Sequence, residues 1–157
     1  MDKKLLILYL LGAGDSKPVR GKTRLVKLMH IINEELKEKN PEMVLYTFKP
    51  YYYGPYSDEL MGDVEQLINE GYIDHRTEFV SVSHYGGYLE NVYTLSEKGR
   101  DYLQENLSDS NIPESILRLI EETKSKYNDI PLSKLIRIVY SKYPLIRKKK
   151  RLHRLLL

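Results

Sequence analysis

The order of signals between Tyr46 and Leu103 narrows the possible folds more than any other feature of this chain. It opens on an aromatic turn, Tyr51-Tyr52-Tyr53-Gly54-Pro55-Tyr56. Ser57 stands where a helix N-cap is needed, and Asp58 and Glu59 place carboxylates in the first turn, where the helix dipole favours them. Leu60, Val64, Leu67 and Ile68 follow at steps of three and four, so one face of this helix is apolar. Gly71 stops it. Two strand-like runs, about 78–83 and 88–94, then flank Tyr85-Gly86-Gly87 and read as a β-hairpin. Thr94-Leu95-Ser96-Glu97-Lys98-Gly99 opens a further helix.

Turn, helix, hairpin and helix in this order form the back half of a winged helix-turn-helix. The front half fits. Leu5 to Leu11 predicts a short buried helix, 12–18 a loop dense in turn residues, and the spacing of Leu25, Leu28, Met29, Ile32 and Leu36 a second helix over 22–39. Asn40-Pro41 ends it, and a long connection follows, within which Val44 to Phe48 reads as a short strand. After a fourth helix over 96–106, residues 108–111 are a linker. Two more helices are expected over 113–127 and 131–143, each opened by a proline. The expected fold is α+β and mainly helical. It comprises a winged-helix domain over 1–107, a C-terminal helical extension over 112–144 that packs on it or dimerises, and a basic tail over 145–157.

Charge is unevenly placed. Arg147, Lys148, Lys149, Lys150, Arg151 and Arg154 have no acid among them. Removing these six from a net +3 leaves −3 for residues 1–146, so the basic character belongs to the tail. Such a run contacts phosphate backbones or anionic surfaces, docks on a partner through Leu152 and Leu155–157, or is simply solvated. With no cysteine, disulfides and thiolate chemistry are excluded. Leu5 to Leu11 is too short to span a bilayer and has no cleavage site, so a cytoplasmic protein without integral membrane association is expected.

Gly21-Lys22-Thr23 invites a phosphate-loop reading, but Ser16 stands where that motif requires glycine. Read as a helix start, Gly21 gives a tight entry and Lys22, Arg24 and Lys27 face solvent. Read functionally, the amide-rich N-terminus flanked by Arg20, Lys22 and Arg24 holds a nucleic-acid phosphate. The tyrosine turn is either a base-stacking platform or packing for the long connection. On the third helix Gln66 and Asn69 are suited to reading adenine, yet the helix carries Asp58, Glu59, Asp63, Glu65 and Glu70 with no Lys or Arg. The wing carries no Lys or Arg between Glu78 and Asn91. His75 and His84 could approach across strands, but His30, His75, His84 and His153 lack ligand spacing, so no metal or cofactor is expected. No nucleophile-base order or carboxylate pair marks an enzyme.

At Gly21 to Leu28, and from Phe48 through Tyr53-Gly54-Pro55-Tyr56-Ser57 to Leu60, the chain resembles YwgA-like and Panacea-domain proteins. Leu67 to Ile73 and Ile138 to Pro144 are similar to the same set, and the segment from Thr94 to Leu103 is shared more widely, for example with PadR-like regulators. The resemblance implies a prokaryotic winged helix; its Panacea side implies toxin neutralisation or adaptor roles, and no catalytic residue carries over. The expected function is a DNA-binding regulator that grips duplex phosphates through Arg20, Lys22, Arg24, Lys27 and the tail, possessing Gln66 and Asn69 as base readers, with a homodimer matching symmetric sites. The alternative is a protein-interaction module of antitoxin or adaptor type, in which the acidic third helix meets a basic partner.

Overall fold

Asp2 accepts the amide of Lys4 at 3.0 Å and starts α1 (Lys3–Ser16). In the computed structural model, which describes residues 1–51 and 54–143, this helix is apolar on nearly every side. Leu5, Leu6, Ile7, Leu8, Leu10 and Leu11 are all buried, the pattern of a helix surrounded by other elements. Helical dihedrals stop after Gly12, where Ala13 turns extended and Gly14 and Asp15 turn left-handed. The predicted loop therefore begins inside the hydrogen-bonded span.

β1 (Val19–Arg20) leads through Gly21 into α2 (Lys22–Lys39), whose bounds match those predicted from the spacing of its apolar residues. The segment from Val44 to Phe48 is not a strand. Asn33 takes the amides of Leu45 and Tyr46 on its side-chain oxygen, at 2.9 and 3.2 Å, and so holds the segment to α2 rather than to a neighbouring strand. The strands come later, as β2 (Lys49–Tyr51) pairs antiparallel with β3 (Gly54–Tyr56).

α3 (Asp58–Asn69) is capped at both ends. The Ser57 hydroxyl accepts the Leu60 amide at 3.1 Å. At the other end the amides of Gly71 and Tyr72 donate back to Ile68 and Leu67, a Schellman turn that needs the left-handed Gly71. β4 (Ile73–Ser83) and β5 (Gly86–Leu95) form a hairpin longer than predicted, paired from Ile73↔Leu95 outward to Ser83↔Gly86. With β1 they make an antiparallel sheet of order β1-β5-β4. Ser96 caps α4 (Glu97–Leu107), accepting from the Gly99 amide and donating to the Gly71 carbonyl.

α5 (Glu114–Tyr127) lies against α1 and α2, and α6 (Leu132–Lys142) against α2 and β3. Ile116, Ile120, Leu135, Val139 and Tyr140 join the same core as the leucines of α1. Polar pins reinforce the docking. Lys124 donates to the Leu11 carbonyl at 2.8 Å, where the end of regular helix leaves acceptors free, and Asn128 donates to the Pro18 carbonyl at 3.1 Å.

Candidate functional site

The cations at the start of α2 do not converge on a common point. Arg20 lies across the sheet and donates to Glu78 at 3.2 Å and Glu90 at 3.3 Å. These hydrogen bonds raise its pKa further. Arg24 is half-buried and donates to the Tyr127 carbonyl at the end of α5, at 3.1 Å. Lys27 corrects the sequence reading. Expected on the solvent face, it is only 1% exposed, because its helical face is covered by β3. Burial brings its ammonium down to about 8. Lys22 alone of the four stays at the surface without an ion pair, its ammonium 5.2 Å from the centre of the Tyr56 ring.

Between the start of α2 and the β2–β3 turn lies a cleft of about 490 Å³. Lys22, Lys27 and Lys49 line it together with Tyr51, Tyr56 and Asp58. Lys49 pairs with Asp58 at 2.8 Å, and the Tyr51 and Tyr56 rings are 5.6 Å apart. This arrangement offers aromatic faces beside cations, suited to an acidic or aromatic side chain of a partner. Lys49 escaped the sequence reading, since only the pairing of β2 with β3 carries it to the first turn of α3. Tyr52 and Tyr53 lie outside the described residues.

The exposed face of α3 is acidic. Asp58 is paired with Lys49, Glu59 with Lys3 at 2.6 Å, and Asp63 accepts the buried Tyr46 hydroxyl at 2.6 Å. Glu65 and Glu70 have no ion pair among the described residues. Of the two proposed base readers, Gln66 donates its amide to Glu70 at 3.0 Å, and Asn69 is exposed at a hollow that it shares with Lys22, Glu65 and His75. His75 does not approach His84. Both are on one side of the hairpin, nine residues apart, which is about 30 Å of extended chain; His75 instead hydrogen-bonds Asn91 at 2.9 Å. Arg147, Lys148, Lys149, Lys150, Arg151 and Arg154 lie outside the described residues.

The chain is 34% identical over 89 residues to Uncharacterized protein YwgA of Bacillus subtilis. It is similar to YwgA. The matched segment is 57% of this chain and 48% of that protein, so the chain spans about half the length of the curated relative that it matches. No family model matches the chain. No helix among the described residues is long and apolar enough to cross a membrane.

Proposed function

We propose that this chain is a winged-helix module that works by binding another protein, with α3 and the neighbouring cleft as its contact face. The winged-helix assignment is supported by the element order α1-β1-α2-α3-β4-β5, interrupted between α2 and α3 by the short β2–β3 hairpin, and by a sheet of order β1-β5-β4. The observation that carries the protein-binding reading is the engagement of three of the four cations at the start of α2. Arg20, Arg24 and Lys27 are held by groups of the chain itself or buried, while the helix that would enter a groove presents carboxylates. Phosphates repel such a face, whereas a basic protein surface complements it. An antitoxin or adaptor role, as the Panacea resemblance implies, is compatible with that chemistry.

Duplex DNA is the second reading, favoured by the winged arrangement and by the six cations between Arg147 and Arg154. Charge reversal separates the two. Glu65→Lys with Glu70→Lys should abolish capture of a specific protein from nuclease-treated lysate if α3 meets a basic partner. If α3 enters DNA, the same change should tighten binding to duplex DNA. Tighter DNA binding with no protein captured by the unaltered chain would overturn the protein-binding reading.

A further inference from the structure

The outer half of the β4–β5 hairpin extends beyond the core with apolar side chains on both faces. Phe79 and Leu89 sit directly opposite each other and are 64% and 69% exposed. Tyr85 at the turn is 99% exposed, Val82 71% and Tyr88 52%. β4 is also an edge. The sheet order leaves its outer side unpaired for all 11 residues, and β1 covers only Val92 and Tyr93 of β5. Proteins normally blunt such an edge with lysine, proline or a charge pointing inward. Between Arg76 and Lys98 there is no Lys, Arg or Pro, and the irregularity of the hairpin, a register shift between Ser81 and Ser83, falls at its tip.

We infer that this outer half is where a second copy of the chain docks, edge to edge through β4. The first argument is charge. The acids Glu78 and Glu90 are already paired with Arg20 and, for Glu78, Arg76, and neither strand carries Lys or Arg beyond Arg76, so the tip offers no cation to a phosphate backbone or an anionic membrane. The second is symmetry. Two identical antiparallel edges satisfy each other's amides and carbonyls about a two-fold axis, the commonest way for a chain to close on itself. Registers that set Glu78 opposite its symmetry mate are disfavoured, which moves the axis toward Phe79 and Val80. The third is area. At about 200 Å² per aromatic side chain, Phe79 of β4 and Tyr85 of the turn leave roughly 300 Å² open per copy. Val82 and the 11-residue backbone edge bring two copies to the order of 1,000 Å², the threshold of a specific interface.

The test is the mass of the full chain in solution by sedimentation equilibrium, with and without Phe79→Lys plus Val82→Lys, both on β4. The unaltered chain should be a dimer at micromolar concentration. The double variant should raise the dimer dissociation constant on the order of 100-fold or more while keeping its circular dichroism. Hydrogen exchange on the unaltered chain gives a second readout, since amides between Thr77 and Val82 should gain protection as concentration rises. A monomeric unaltered chain would overturn the proposal. So would a dimer in which these amides stay unprotected, because its interface would lie elsewhere. This inference is independent of what α3 contacts, and the Glu65 and Glu70 reversals leave it untouched.

Discussion

The ammonium nitrogen of Lys27 lies 2.6 Å from the point that a Cβ on Gly54 would occupy. Gly54 also has φ +110°, in the left-handed region that favours glycine. The buried cation and the sharp turn thus depend on the same missing side chain. Gly54→Ala should cost roughly 1–3 kcal/mol from backbone strain alone, with displacement of the ammonium adding to it. Gly62→Ala is the control. Its Cβ meets nothing within 4 Å, and alanine suits the middle of α3, so that change should be neutral or slightly stabilising. Urea unfolding of both variants measures the contrast; equal midpoints would show that Lys27 and Gly54 are not coupled.

Alkaline stability should rise before it falls. Burial brings Lys27 and Lys124 down to about 8 from an ordinary 10.5. Between those values the unfolded chain holds protons that the folded chain has released, so both groups add stability as pH increases through that window. Tyr9 opposes this only above pH 10, where the unfolded phenol ionises while burial and Glu121 push the folded one up to about 12. Lys124→Met should flatten the rise, and urea midpoints across the window would reveal it.

Acid should act through His30. Its ring is fully buried, set edge-on to Phe48 and Tyr143, and neither ring nitrogen has a partner among the described residues. Burial, with the Lys27 and Lys37 charges, lowers it to about 3 from 6.5. Because the folded pKa is depressed, the unfolded chain takes the proton first, and stability falls as pH drops from 6.5 toward 3. His30→Phe keeps the aromatic contacts and removes the orphaned nitrogens, so it should flatten this loss and gain about 1–3 kcal/mol near neutrality. A thermal melt series from neutral to acid pH decides it, and an unchanged acid limb would exclude His30 as the trigger.

Any affinity of the full chain for duplex DNA should reside in Arg147 to Arg154. Six cations cap the contribution, and about half of them finding phosphates would flatten the salt slope by roughly three units on truncation after Ile146. The loss should be the same for every DNA sequence, since backbone contacts carry no base information. A slope unaltered by truncation would return DNA contact to Lys22 and its neighbours. Fluorescence anisotropy over a salt series is the measurement.

Local signals were legible where local chemistry decides. The Ser57 cap, the Gly71 stop and the stripe of α2 each follow from residues within one or two helical turns. What escaped depends on contacts across long stretches of chain. Lys27 reads as a surface lysine until β3 is laid over it, and Arg20 reads as a free cation until the hairpin brings Glu78 and Glu90 beside it. The strand expected at Val44 to Phe48 has the same origin, as the run is largely apolar but Asn33 claims two of its amides. Three of the four cations at the start of α2 were lost to the candidate phosphate site in this way, because a charge pattern does not reveal which charges the fold uses internally.

The pin from Lys124 to the Leu11 carbonyl also sets a schedule for the growing chain. Its two ends are 113 residues apart. At roughly 5–20 residues per second, α1 leaves the ribosome many seconds before the helix that covers it has been made. Through that interval a helix with leucines on every side has no permanent cover, and the nascent chain is a natural client for chaperones. Slowing translation between Gly12 and Ile116 should therefore increase aggregation, although every native contact of the finished protein is unchanged.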